Sequence, residues 1–553
     1  MADSCARAVE PAELRGRTEK WGVGCALLLG ALVLIALWFR FHALGAEGFA
    51  DDEVHKWLAA NRYLRGQFGG DDVEHPMLMK TLAALVIWAV PRASPEALTR
   101  FPGALAGGLT VWATALLGRR LFGRATGLLA AALMALSTTA IGYHRIAKED
   151  SLLGLFFVLC LWCLAEAKAA ADDEREREAR RWELCGAAAL GTAFASKYFL
   201  FYGFALPIAY LWLRPTTRWR LPARRWAALS ATALAVFLAL NWTVLSPTTW
   251  DYLLRYMRGE HVGGDRGVSE SILFTGRIYG NLAFCRDATP WWFFLAFAAF
   301  KFSPVTALLE ATGLAWAIVR RAPAHRILLV WIAALLAFSA GVSAKYGRFF
   351  VSVMPAFLLL AAHAAVILPR SLAVAFNGRG GNRAARLAGA AAALLAVASE
   401  TTAAVTHAPH QRLYLSALAG GDRRLNWFLP HCDYFDAGLR EALTWVAEHA
   451  EKNAEVASDV DWSVRLYAAR LGRPDLVSSP ILPDLGCQLS RPCYVLVQPG
   501  RIYRHNLAAL AHLNATAPVH VERIRGEQAV RVYRLGPGEP LFPESAHLKA
   551  AAR

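Results

Sequence analysis

Charge is scarce in this chain. Of 553 residues 18% are charged and 56% hydrophobic, whereas a soluble chain of this length would normally divide into several domains of more even composition. Cysteine offers no metal-ligand spacing. Nine are scattered, and the one CxxC, Cys160 and Cys163, sits inside an apolar run where core packing accounts for it. Cys487 and Cys493 are placed for a disulfide if their region faces an oxidising compartment. No nucleic-acid motif accompanies the net charge of +16, so the excess is read as cytoplasmic loops and contact with anionic lipid. There is no internal repeat, and no low-complexity tract beyond alanine-rich helices. No small-residue cleavage site follows the first apolar run, which is too long for a signal-peptide core and is read as a retained helix.

What is present is a series of apolar runs. A spanning helix needs roughly 20 mostly apolar residues, at ~1.5 Å each across a core of ~30 Å. Trp21–Phe41, Leu98–Leu117, Ala125–Tyr143, Ser151–Ala167, Trp226–Leu245, Ile327–Val342, Phe349–Leu368 and Leu387–Thr406 meet that test. In hydrocarbon every backbone amide must bond internally, so these runs are helices. Basic residues set the orientation. Arg15, Arg17 and Lys20 keep the N-terminus (1–20) cytoplasmic, which puts loop 42–97 outside. Arg119, Arg120 and Arg124 belong inside, so the apolar stretch 77–92 is a helix lying in the outer interface and not a crossing. The charged run Asp172–Arg181 is inside. Stretches 184–196 and 199–213 meet at Lys197 near the outer face, and Arg214, Arg218, Arg220, Arg224 and Arg225 are inside. Loop 246–303 is outside. Segment 304–320 returns to Arg320, Arg321 and Arg326, residues 343–348 are outside, and Arg370, Arg379, Arg383 and Arg386 are inside. The expectation is a polytopic α-helical membrane protein with about eleven crossings over 21–406. From 407 the composition changes. Glu455–Ser458, Cys493–Gln498 and Ala529–Tyr533 read as strands and Glu441–His449 as an amphipathic helix, so 407–553 is expected to be a small extracytoplasmic α/β domain.

Four polar groups fall on the expected outer side. The run Asp51-Asp52-Glu53-Val54-His55-Lys56 places three carboxylates just past the first helix. By itself it is equally a solvated acidic loop or a base held at the bilayer surface, a role typically contributing about 10²–10⁴ in rate. Glu74-His75-Pro76-Met77 follows, with Lys80 a turn beyond Pro76. His144-Arg145-Ile146-Ala147-Lys148-Glu149-Asp150 ends on an acid that also suits a helix cap. Arg100, Lys197, Lys345 and Arg348 stand at apolar boundaries against the positive-inside trend, and basic groups there suit an anionic ligand such as a lipid phosphate. Glycines at Gly259, Gly263, Gly264, Gly267, Gly276 and Gly280 make loop 246–303 a candidate lid.

Taken in order, "ADDEVHK" (50–56), "EHPMLMK" (74–80), "RFPGALAGGL" (100–109), "RRLFG" (119–123), "HRIAKEDSLLGLF" (144–156), "FASKY" (194–198) and "KYGRFFVSVMP" (345–355) resemble the bacterial GT-C glycosyltransferases of the protein O-mannosyltransferase and aminoarabinose-transferase-like kind. The resemblance covers about 50–405, and more weakly the next thirty residues, through "DYFDAGLREALTWV" (433–446). It implies a GT-C fold in the plasma (inner) membrane, with the active site on the extracytoplasmic side. It also implies transfer of a sugar from a polyprenyl-phosphate carrier, with inversion, to a lipid, glycan or protein acceptor. Asp52 matches the catalytic first-loop Asp, Glu53 its partner and Asp150 the second-loop acid. Lys80, Lys197 and Arg348 match basic positions near the carrier phosphate, with Arg100 and Lys345 added from their placement. His75 matches the His of a His-Pro-Pro. A divalent metal is the one cofactor in view, with Asp52, Asp150 and His75 as its candidate ligands. Met77 replaces the second Pro and Lys56 the aromatic that follows the acidic pair, and both Asp51 and Asp52 stand as candidate bases. The rival class, a transporter or lipid flippase, needs ionisable residues within its helices, and these runs are nearly charge-free at their centres. An oligosaccharyltransferase-like enzyme would carry a Trp-Trp-Asp signature in the C-terminal domain. Pro290-Trp291-Trp292-Phe293 lies in a loop and lacks the Asp.

Overall fold

The computed structural model describes residues 21–69, 72–198, 222–257, 271–281, 285, 287–376, 381–482 and 491–542. The stretch 199–213, the N-terminal segment 1–20, Arg214, Arg218, Arg220, Arg379, Cys487, and Gly259, Gly263, Gly264 and Gly267 lie outside the described residues.

Helix α1 (Val23–Phe41) leads into a loop that carries two short helices, α2 (Asp51–Tyr63) and α3 (Met77–Ala89). There follow α4 (Pro95–Phe122), α5 (Arg124–Leu136), α6 (Thr138–His144), α7 (Asp150–Asp172), α8 (Glu176–Ser196), α9 (Ala223–Leu240) and α10 (Pro247–Met257). A hairpin of β1 (Ser271–Phe274) and β2 (Arg277–Gly280) precedes α11 (Phe293–Phe300), α12 (Pro304–Arg320), α13 (Pro323–Gly341), α14 (Met354–Phe376) and α15 (Gly381–Thr406). Helices α1, α4, α7, α9 and α13, with residues 384–406 of α15, are 6 helices long and apolar enough to cross a membrane, and α5 with α6, bent by 60°, makes up to 7. Helices α8, α12 and α14, which cover three further stretches expected to cross, pack beside them without meeting that test. Helix α3 has 13 residues and reaches about 20 Å, too short for the bilayer core. It packs on α2 and α4 as part of the first loop.

Local chemistry sets the helix starts. Ser94 caps α4 by accepting the Ala97 N–H at 3.3 Å, with Pro95 at the first position, and Ser303 caps α12 in the same way through Thr306. Within α4, Gly107 lies against the His144 ring, where a Cβ would collide, and a Cβ on Gly103 would meet the Ile146 carbonyl at 3.0 Å. Two glycines on one helix face thus let the 144–149 segment settle directly on α4.

After α15 come α16 (Leu425–Phe428) and α17 (Pro430–Tyr434), then a small sheet domain: α18 (Leu439–His449), β3 (Glu455–Ala457), α19 (Asp461–Arg470), β4 (Val477–Ser479), β5 (Cys493–Val497), α20 (Leu507–Leu513), β6 (His520–Ile524) and β7 (Glu527–Leu535). The strand order is β4-β3-β5-β7-β6. The pairs β3–β4 and β3–β5 are parallel, and β5–β7 and β6–β7 antiparallel. Strand β5 is buried along its whole length, as a central strand covered on both faces must be. Cys493 within it is disulfide-bonded, and Cys160 and Cys163 are buried free thiols.

The membrane helices and the C-terminal part are joined by a buried charge. Lys301, between α11 and α12, donates to the carbonyls of Arg412 (2.8 Å) and Tyr414 (2.6 Å) and to Asp433 Oδ1 (2.9 Å), and both side chains of the ion pair are fully buried. Lys301→Met leaves Asp433 uncompensated, a loss of about 3–5 kcal/mol. The expected outcome is earlier thermal loss of the monodisperse protein in detergent, and an unchanged melting profile would contradict this role.

Candidate active site

Helix α2 begins at Asp51, so three acids occupy its first turn, where the helix dipole favours negative charge. Successive helical residues turn by about 100°, which sends the three carboxylates to three different partners. Asp51 faces Arg501 at 3.0 Å. Asp52 touches the Lys148 ammonium and stands 3.6 Å from Arg348. Glu53 turns inward and is fully buried.

Glu53 is bonded on every side. It accepts from Ala50 N (2.9 Å), Ala147 N (2.7 Å), Arg100 Nε (2.8 Å) and Arg100 Nη2 (2.5 Å). Arg100 uses its remaining donors on the carbonyls of Leu44, Glu47 and Gly48, so none of its five N–H groups is left for a phosphate. The pair expected to serve as catalytic partner and phosphate ligand is a mutual anchor that fixes the first loop to the second.

The second loop is held equally firmly. Arg145 donates to the carbonyls of Phe39 (2.9 Å), His42 (2.5 Å) and Ala43 (2.9 Å), closing the C-terminal end of α1. Asp150, the first residue of α7, pairs with Lys197 at 2.6 Å and lies 3.9 Å from Arg348. Asp52, Asp150, Lys197 and Arg348 therefore converge, as the sequence order anticipates. Lys345 does not join them: its ammonium donates to the Thr289 carbonyl at 2.7 Å, where burial pushes its pKa down to about 8. Arg348 differs from Arg100 in kind. Its ion pairs are loose, its Nε has no hydrogen-bond partner among the described residues, and its guanidinium lies over the Tyr346 ring at 4.1 Å. The Asp52 side chain is one-third exposed, so the cluster opens on that side.

Lys148 and Glu149 were quoted in the motif but not singled out, and they belong to the same network. Burial and the nearby Arg348 push the Lys148 ammonium well below the ordinary lysine value, while Glu149 and Asp150 pull the other way. Lys56, one turn after Asp52, is wholly buried between Glu149 (2.9 Å) and Asp72 (3.3 Å).

His75 and Lys80 sit at Asp72, away from Asp52 and Asp150. Lys80 bonds the Asp72 and His75 carbonyls. His75 Nδ1 faces Asp72 at 3.2 Å and its Nε2 faces Glu149 at 3.7 Å. Ligand atoms of Asp72, Glu74 and His75 lie within 4.8 Å of one another, so the candidate metal group in the described residues is this one, not Asp52, Asp150 and His75. Its oxygen and imidazole donors suit a divalent ion. Its surroundings do not: Lys56 and Lys80 stand 3.3 and 3.5 Å from Asp72. Burial disfavours a charged His75, yet Glu149 and Asp72 outweigh it and raise the imidazolium to about 9. A metal would have to displace that proton beside two ammonium groups, so no step is assigned to one.

Residues 74–243 match the family model of dolichyl-phosphate-mannose-protein mannosyltransferases. The structure is similar to that of ArnT from Cupriavidus metallidurans bound to undecaprenyl phosphate, with TM-score 0.54 and 14% identity over 94% of this chain and 100% of that one. It is also similar to the Archaeoglobus fulgidus oligosaccharyltransferase tethered to an acceptor peptide containing the NVT sequon, with TM-score 0.51 and 13% identity over 86% of this chain and 69% of that one. No curated protein sequence matches the chain.

Two outcomes follow from the charges. Folding raises the His75 pKa from 6.5 to about 9, so its contribution is complete below the unfolded value and is lost as pH rises through the folded one. The melting temperature should fall between pH 7 and pH 10 by about 2–4 °C, and His75→Gln should flatten that fall. Chelation with EDTA should leave the protein's melting temperature and turnover within about twofold of untreated values. Reversible inactivation rescued by Mn²⁺ would show that the triad holds a metal after all.

Proposed function

We propose that this chain is a GT-C glycosyltransferase of the protein mannosyltransferase and ArnT type, and that it transfers a sugar from a polyprenyl-phosphate carrier to an acceptor hydroxyl on the extracytoplasmic face of the plasma membrane. The observation that carries the reading is Arg348, set between Asp52 and Asp150 with loose contacts to both and an Nε that has no hydrogen-bond partner among the described residues. A loosely held cation beside a partly exposed carboxylate is what displacement at an anomeric carbon requires.

Asp52 takes the proton of the acceptor hydroxyl, whose oxygen attacks the anomeric carbon from the face opposite the phosphate. The new glycosidic C–O bond forms as the C–O bond to the carrier phosphate breaks, with inversion. The leaving phosphate carries away the electron pair, and its charge is met by Arg348 and Lys197, a preorganised pair that needs no rearrangement during the reaction. Asp150 orients both cations. Lys148, in direct contact with Asp52, holds that carboxylate in place. Lys56, through Glu149, and Glu53, through Ala147 N, hold the two loops in register. The match to the ArnT structure with bound undecaprenyl phosphate supports a polyprenyl phosphate as the carrier.

The test uses undecaprenyl phosphate carrying mannose, glucose or 4-amino-4-deoxyarabinose, in membranes that supply the acceptor, with release of undecaprenyl phosphate as readout. One of the three should be turned over, and Asp52→Asn should lower its rate by about 10³-fold or more. Arg348→Ala and Lys197→Ala should weaken binding of undecaprenyl phosphate itself by about 10–100-fold. Full turnover by Asp52→Asn, or no turnover of any of the three, removes the reading.

A further inference from the structure

The C-terminal domain reaches into the first loop at the residue next to the base. Arg501, in the turn after β5, is buried and donates from Nε to Asp436 Oδ1 (2.8 Å), from Nη2 to Asp436 Oδ2, and from Nη1 to Asp51 Oδ2 (3.0 Å) and the Tyr503 hydroxyl (3.0 Å). Asp436 is held from a third side by Gln498 Nε2 at 3.0 Å. Its Oδ2 then accepts the backbone N–H of Asp51 at 3.0 Å, one of the donors that a helix start leaves without an internal partner. The first turn of α2, which carries Asp52, is thus capped by a carboxylate from the far end of the chain.

The turn that presents this carboxylate is itself unusual. Phe435 and Asp436 lie in the left-handed region, with φ of 46° and 58°. An aspartate adopts that region readily, but a bulky aromatic at φ > 0 is an outlier that surrounding contacts must maintain. The same face is fastened again nearby. Tyr467 accepts from Phe49 N at 2.5 Å and donates to Glu96 at 2.9 Å, and Arg440 donates to the Gly45 and Ala46 carbonyls.

We propose that Arg501 is a positioning residue for Asp52, acting through Asp436 and Asp51 on the first turn of α2, so that the C-terminal domain is part of the catalytic machinery. The inference rests on the reading of Asp52 as the base. It assigns Asp51 to the latch and leaves Asp52 to the chemistry, although the two acids are adjacent in sequence.

Turnover of whichever carrier-linked sugar the wild type uses is measured on monodisperse protein, together with amide exchange over residues 50–63. Arg501→Gln should lower kcat by about 10–100-fold with donor KM within about threefold, the pattern of a misplaced catalytic group. It should also speed exchange in the first turn of α2. Arg501→Lys should recover part of kcat. Asp51→Asn, a near-isosteric change at a partly exposed side chain, tests the same latch if Arg501 variants do not accumulate, and should fall in the same range. Arg501→Gln combined with Asp436→Asn should be no worse than the poorer single variant, because the residues act as one unit. Unchanged kcat in folded Arg501→Gln and Asp51→Asn overturns the inference while leaving the proposed function intact. Full activity in Asp52→Asn overturns the proposed function instead.

Discussion

The buried carboxylate of Glu53 is the point on which the site depends. It draws in Arg100 from α4, the backbone of Ala147 from the second loop and the start of α2 from the first. A buried carboxylate is costly unless it is charge-paired and its lone pairs are used, and here both conditions are met by groups from separate parts of the chain. Their mutual satisfaction fixes the distance between the loops. Asp52 on one and Asp150 on the other then fall on either side of Arg348 without further adjustment.

Around that anchor, cations are divided by how completely they are used. Arg100 is saturated, Lys80 and Lys345 are engaged with backbone carbonyls, and Lys56 is enclosed between two acids. Arg348 is the member with loose contacts. Charge alone does not tell these five apart, whereas donor satisfaction separates the structural ones from Arg348, which stands with Lys197 at Asp150 where the phosphate is proposed to bind. The C-terminal domain adds a second restraint, from behind α2, through Asp436 and Arg501.

Much of this was legible in the sequence. Hydropathy gave the order of the helices, because hydrocarbon forces each apolar run to satisfy its own backbone. The runs at 455–458, 493–498 and 529–533 fall on β3, β5 and β7, whereas β4 and β6 were not read. The convergence of Asp52, Asp150, Lys197 and Arg348 was also readable, since each stands in an outer segment next to an apolar run. What could not be read was which acid meets which base. Asp51, Asp52 and Glu53 are equivalent as letters, and only the helical turn sends them to Arg501, Arg348 and Arg100. The pairing of Lys56 with Glu149 could not be read, because it joins segments far apart in the chain. Glu400 in α15 was likewise hidden in an apolar run, where it accepts the backbone N–H of Ser303 at the start of α12. That contact gives a buried acid a structural task.

The central claim is that the cluster around Arg348 receives the phosphate of a polyprenyl carrier. Cryo-electron microscopy of the full chain with undecaprenyl phosphate tests it directly. The account predicts phosphate density within about 3 Å of the Arg348 and Lys197 donors, with Arg100 still bonded to Glu53. A phosphate held elsewhere, or one that draws Arg100 away from Glu53, would contradict it.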